Sequence, residues 1–157
     1  MNVELVEYSK SVKDTVTSLE VASWQKDFVD SNAESLLEFD RARMNGHDVR
    51  AFVILEGNVA CGFAMILHSS RHPENPRRDC PWYLWRFMID ENFQGRGIGR
   101  KALGILLEYM EKEDTQEAFA CSVSYEDENQ VARKLYSSFG FKETGDIVDG
   151  ETVAILK

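Results

Sequence analysis

The sequence predicts an α/β (α+β) fold in which a central mixed, mainly antiparallel sheet carries helices on both faces. Three observations lead there. Two pairs of apolar stretches are joined by Gly57-Asn58 and Asp149-Gly150, dipeptides that favour tight antiparallel hairpins. Other segments place apolar residues every three or four positions, the spacing of one helix face. The two patterns are interleaved along the chain, so helices must cover both sides of one sheet.

Taken in order, the chain opens with a strand near Val3 to Tyr8. A helix is expected from about Val12 to Phe28, with Val12, Val16, Leu19 and Ala22 on one face. A second runs from about Ala33 to Met44 and stops at Asn45-Gly46. Val49 to Leu55 and Val59 to Leu67 flank the first hairpin turn, and residues 69–80, with Pro73 and Pro76, form a loop. A strand at 82–89 leads into a helix from about Gly97 to Lys112, whose apolar stripe is Ala102, Leu103, Leu106, Leu107 and Met110. A strand from Ala118 to Val123 precedes a helix that Asn129 caps and Gly140 ends, with Val131, Leu135 and Phe139 as its buried face. Phe141 to Val148 and Thr152 to Leu156 form the second hairpin. No linker, repeat or low-complexity tract intervenes, so residues 1–157 are expected to form one domain.

The densest chemical signal follows the strand at 82–89. Gln94-Gly95-Arg96-Gly97-Ile98-Gly99-Arg100 has glycines at alternate positions and leads straight into a helix. Such a loop exposes successive backbone N–H groups, and the helix start adds partial positive charge; together they form a receptor for phosphate oxygens. A dinucleotide fingerprint would require a sixth-position glycine where Arg100 stands, and a P-loop would require Gly-Lys-Ser/Thr where Gly99-Arg100-Lys101 stands. Both are excluded by spacing.

The pattern that fits is Gln/Arg-x-x-Gly-x-Gly/Ala, matched by Gln94, Gly97 and Gly99. With Asn129, Tyr136 seven residues later and the closing Gly140-Phe141, the chain resembles the GCN5-related N-acetyltransferases, the GNAT family. The stretches 83–90, 124–129 and 31–38 further resemble the spermine/spermidine acetyltransferases of Bacillus-type bacteria. The resemblance implies the GNAT fold and acetyl-CoA as co-substrate, with no metal. It implies that the strands at 82–89 and 118–123 splay apart around the pantetheine arm. Phe87, Met88 and Ile89 would contact that arm, and a backbone N–H of this segment would hold the oxyanion. Gln94, Gly95, Arg96, Gly97, Ile98, Gly99 and Arg100 would bind the diphosphate, Asn129 would touch the cofactor from the other wall, and Tyr136 would be the general acid.

An amine acceptor must first lose a proton. For an alkylammonium of pKa about 10.4 this costs roughly 4.6 kcal/mol at pH 7, at about 1.36 kcal/mol per unit. In the family's animal polyamine enzymes a glutamate stands nine residues before the loop's leading residue; here that position is Trp85, so the base is left unassigned. For the acceptor, Glu34 and Glu38 share one helical face. Either they pair with two ammonium groups of a polyamine, or they are solvated beside Arg41 and Arg43. Trp82, Tyr83 and Trp85 either meet the amine through cation–π contact or belong to the sheet core; alternation puts Trp82 on the opposite face from Tyr83 and Trp85.

Composition bounds the partners. The 157 residues carry a net charge of −9, which opposes nucleic-acid binding and suits a small cationic amine. Apolar runs such as 51–55 are too short for a bilayer. Cys61, Cys80 and Cys121 have no zinc spacing, and Met1-Asn2-Val3-Glu4 begins no targeting segment, so a cytoplasmic protein with reduced thiols is expected. A homodimer is expected from family habit. The function expected is acetyl transfer from acetyl-CoA to a primary amine of spermine or spermidine. The alternatives are another acceptor (an aminoglycoside, a small amine or a protein N-terminus) or an inactive acyl-CoA-binding sensor.

Overall fold

The computed structural model describes residues 1–114 and 118–157. Its strands are β1 (Val3–Glu7), β2 (Val49–Glu56), β3 (Val59–His68), β4 (Trp82–Ile89), β5 (Cys121–Tyr125), β6 (Lys142–Val148) and β7 (Glu151–Leu156). The helices are α1 (Lys13–Ser18), α2 (Asn32–Met44), α3 (Ile98–Glu113) and α4 (Gln130–Ser138). The seven strands make one sheet in the order β1-β2-β3-β4-β5-β7-β6, antiparallel except between β4 and β5.

Each face of the sheet has its own core. On one, Ile54, Ile66, Trp82 and Leu84 pack against Leu103, Leu106 and Met110 of α3 and Tyr136 of α4. On the other, Val53, Phe63, Met65 and Leu67 pack against Val16 of α1 and Leu36 and Phe39 of α2. Covered on both sides, β3 is buried without interruption from Cys61 to Leu67, which is why it reads as an unbroken apolar run. Each fully buried aliphatic or aromatic side chain contributes about 1.5–3 kcal/mol.

Three features position the site. The parallel β4–β5 pairing runs through Trp82–Cys121 and Tyr83–Ser122 and goes no further among the described residues, so the strands part as β4 proceeds. The β3–β4 register slips at Trp85: Ile66 pairs with Leu84 and Met65 with Arg86. This bulge puts both Trp85 and Arg86 on the α2 side and then restores alternation, with Phe87 and Ile89 toward α3 and Met88 toward α2.

The third feature corrects the expected helix from Val12 to Phe28, which ends at Ser18. Leu19 is extended (φ −76°, ψ 133°) because tertiary partners capture the backbone beyond it. Asn32 Nδ2 donates to the carbonyls of Val16 at 2.8 Å and Leu19 at 3.4 Å, and Glu20 N–H donates to Asp90 at 2.9 Å. Residues 19–31 become a strap beside the end of β4, with one 3-10 turn at Ser23–Gln25. The buried face expected for the last helix is also corrected. Tyr136 is its buried residue, at 7% exposure, whereas Val131 is 52% exposed and Leu135 and Phe139 are half-buried. The final strand pair and its turn follow expectation, with Asp149 and Gly150 both at positive φ.

Candidate active site

The loop after β4 is held rigidly from below. Asp90 accepts from Asn92 N–H at 3.0 Å with one oxygen and from Glu20 N–H at 2.9 Å with the other. Gln94 Nε2 donates to Ile89 O at 2.9 Å and to Gln25 Oε1 at 2.8 Å, tying loop, strand and strap together. Gly97 (φ +83°) turns the chain into α3, a left-handed conformation costly for any residue with a Cβ. The helix starts without a side-chain cap, and the N–H of Lys101 returns to Gly97 O at 3.1 Å. The N–H groups of Ile98, Gly99 and Arg100 therefore have no intrahelical partner, which leaves a cradle of donors for an anion.

Phe87, Met88, Ile89, Gln94, Gly95, Gly97, Ile98, Gly99, Arg100, Asn129 and Tyr136 line one cleft of about 430 Å³, roofed by Val21, Trp24 and Val29 of the strap. The exposed Val131 and half-buried Leu135 line it too, which accounts for their poor burial. Arg96 stands outside, donating to Asn92 O at 3.1 Å with its guanidinium over the Phe93 ring. Arg100 donates to Ser138 at 2.9 Å, clamping the start of α3 to the end of α4. Asn129 caps α4, its side chain accepting from Ala132 N–H at 3.2 Å.

Where β4 and β5 part, a second cavity of about 240 Å³ opens. It shares Val29, Phe87, Asn129, Ala132 and Tyr136 with the first. Tyr136 stacks on Tyr125 at 5.8 Å and meets Phe141 edge-on at 5.6 Å, and burial raises its phenol well above the ordinary tyrosine range. The second cavity presents Asp27, Asp30, Glu126 and Glu151 against Lys26 and Arg86, so carboxylates outnumber cations. Arg86 is fixed by Ser35 at 3.0 Å, Asp30 at 2.6 Å and Glu38 at 3.3 Å.

The residues expected at the acceptor divide. Trp85 lines the second cavity on one side and a third, of about 290 Å³, on the other. Glu38 lines the third, beside His47 and His72, and burial raises its carboxyl despite the pull of Arg86. Glu34 lines none of the three: its backbone and carboxylate are engaged by Ser31 at the start of α2. Glu151 and Ser124, for which the sequence predicts no role, also line the second cavity. A carboxylate next to a hairpin turn carries no local signal of burial; only the parting of β4 from β5 encloses it.

Against known proteins, the model of the acetyltransferase (GNAT) family matches residues 13–141. The chain is 34% identical over 104 residues to the spermine/spermidine N(1)-acetyltransferase of Bacillus subtilis. That match covers 64% of this chain and 64% of the relative, so it spans under two thirds of the curated protein's length. Among solved structures it is similar to a PaiA N-acetyltransferase of Thermoplasma acidophilum in complex with coenzyme A (TM-score 0.72, 17% identity, covering 100% of this chain and 99% of that one). It is also similar to a spermidine N-acetyltransferase of Vibrio cholerae in complex with CoA and spermine (TM-score 0.68, 16% identity, covering 98% and 92%). At these identities the solved structures establish the fold.

Proposed function

Because this chain belongs to the GNAT acetyltransferase family, we propose that it transfers the acetyl group of acetyl-CoA to a primary amine of a polyamine such as spermidine or spermine. The observation that carries the proposal is the pair of connected cavities, one ending at a ring of free backbone donors and the other lined by carboxylates, with Tyr136 on the wall between them. The Bacillus subtilis relative supports the polyamine class.

In this reading the diphosphate sits against the N–H groups of Ile98, Gly99 and Arg100, where the helix dipole favours negative charge. The pantetheine arm adds alongside residues 87–89, whose β5-facing edge has lost its strand partner, and Asn129 closes the opposite wall. A backbone N–H of that segment stabilises the oxyanion of the tetrahedral intermediate. The amine enters through the second cavity. Tyr136, kept protonated by burial, hands its proton to the departing sulfur. Asp27 and Glu126, neither ion-paired among the described residues, supply negative charge for the distal ammonium groups of a linear polycation.

An acceptor panel tests this. Purified protein and acetyl-CoA are mixed with spermidine, spermine, kanamycin, a monoamine or a peptide with a free N-terminus, and CoA release is followed with a thiol reagent. The two polyamines should lead. If they come last, the polyamine assignment falls while acetyl transfer stands. If no amine releases CoA and calorimetry detects no CoA binding, the transferase reading itself falls.

A further inference from the structure

We propose that Glu151 is the general base of the transfer, oriented by Ser124; the proposal rests on the acetyl-transfer reading and adds the proton acceptor that reading lacks. Glu151 opens β7 and lines the second cavity together with Tyr136. Ser124, on the neighbouring β5, donates its hydroxyl to Glu151 Oε1 at 2.8 Å. That uses the only proton Ser124 has, so the Tyr83 hydroxyl, 3.1 Å from Ser124 Oγ, must donate to it. The result is a polarised chain, Tyr83 to Ser124 to Glu151, that pins one carboxylate oxygen. The other, Oε2, has no protein partner among the described residues and is free for an ammonium in the cavity.

The competing carboxylates are less suited. Asp30 is committed to Arg86 at 2.6 Å, and Asp27 is exposed. Glu38 lines the third cavity, beyond Arg86. Glu126 is half-buried, with no side-chain hydrogen bond among the described residues to aim it. The groups that act on Glu151 are mixed in sign: burial raises its carboxyl most, Glu126 and Asp30 push the same way, and Ser124 and Arg86 pull it down. The net shift is upward, and a carboxylate with a raised pKa accepts a proton more readily at neutral pH.

Glu151 Oε2 takes one proton from the ammonium, giving a neutral amine and a carboxylic acid. The nitrogen lone pair forms the C–N bond to the thioester carbon while the carbonyl π pair moves to oxygen. Collapse re-forms the carbonyl and breaks the C–S bond, whose electron pair leaves on sulfur and takes the Tyr136 proton. The second proton on nitrogen restores the Tyr136 phenol, and Glu151 releases its own to solvent. The sum is amide, free CoA thiol and one proton.

The test follows CoA release from acetyl-CoA with spermidine, or with kanamycin if the panel rejects polyamines, from about pH 6 to about pH 10, for wild type, Glu151→Gln and Ser124→Ala. Glu151→Gln should lose about 10²–10³-fold in kcat near pH 7 with KM for acetyl-CoA nearly unchanged. Its defect should shrink about tenfold per pH unit as solution supplies free amine, and should shrink for an acceptor of lower amine pKa. Ser124→Ala should move the acidic limb to higher pH, because a hydrogen bond to the charged form is lost. A folded, CoA-binding Glu151→Gln that keeps wild-type kcat and pH profile overturns the base and leaves acetyl transfer standing. If that variant fails to fold, an unmoved acidic limb in Ser124→Ala overturns it instead. An inert wild type removes both readings together.

Discussion

Tyr136 is a phenol that its surroundings keep from ionising, with burial the leading cause and its neighbours Cys121, Tyr83 and Tyr125 adding to it. It therefore holds its proton throughout the physiological range, as a general acid for a thiolate must. Tyr136→Phe removes the proton but preserves the ring contacts to Tyr125 and Phe141, so the fold should lose under about 1 kcal/mol. We expect kcat for CoA release to fall at least about 10²-fold, with CoA affinity by calorimetry little changed. Glu151 gives the mirror case in stability. Its folded-state pKa lies above the ordinary glutamate value, so its favourable contribution is complete below that ordinary value and is lost as pH rises through the folded pKa. Glu151→Gln does not titrate, so the Tm of the variant minus that of wild type should be more positive at about pH 7.5 than at about pH 4, measured by differential scanning calorimetry. The two residues also differ in legibility. Tyr136 is visible in the sequence because the resemblance to the family motif, from Asn129 to Gly140-Phe141, lies within one helix and its end. Glu151 is invisible, because its burial depends on a gap between two strands that local pattern does not encode.

At the scale of elements, the backbone of β4 is what the proposed cofactor site depends on, and β3 is what holds it in place. Gly62 faces Ile89 across the β3–β4 ladder, and a Cβ there would lie 2.5 Å from the Met88 carbonyl oxygen and 2.9 Å from the Ile89 side chain. Backbone cannot yield as a flexible side chain does, so Gly62→Ala should push the end of β4 outward. We expect a stability loss of about 1–3 kcal/mol in urea unfolding together with weaker CoA binding, because the strand that shifts is the strand that lines the cleft. Where the sequence pattern succeeded, the cause was local. The α3 stripe, both hairpin turns and the glycine loop follow from periodicity and from φ requirements carried by the residues themselves. Where it failed, distant groups had intervened. Asp90 and Asn32 take the backbone partners of residues 16–20 and end α1 early, and the α4 stripe at Val131 and Leu135 faces a cleft. An apolar stripe looks the same in sequence whether protein or ligand is to cover it.

For the whole molecule, the parting of β4 from β5 makes the sheet two leaves, β1–β4 and β5–β7, whose ladder contact is the short pairing at residues 82–83 and 121–122. The Trp82 N–H also donates to Ala120 O at 3.2 Å, and side-chain contacts cross the line as well, among them Trp82 buried beside Cys121 in one core, Tyr83 hydrogen-bonded to Ser124, and Arg100 at the start of α3 donating to Ser138 at the end of α4. The cleft lies along that division, with residues 87–89, 93–95 and 97–100 on one bank and Asn129, Ala132 and Tyr136 on the other. A ligand filling it touches both leaves and supplies contacts that the sheet omits there. Binding to the folded state alone adds RT ln(1 + [L]/Kd), about 2.7 kcal/mol at a hundredfold excess over Kd. CoA should therefore raise the Tm, and the added protection in amide hydrogen exchange should fall on 87–89, on 97–101 and on the first turn of α4. The outer strands β1 and β6, which lie on neither bank, should gain protection only through the global rise in stability. Protection confined to one bank would mean that the ligand rests on a single leaf. Acetyl-CoA could then not bring its thioester to Tyr136, and the shared wall between the two cavities would have no part in the chemistry.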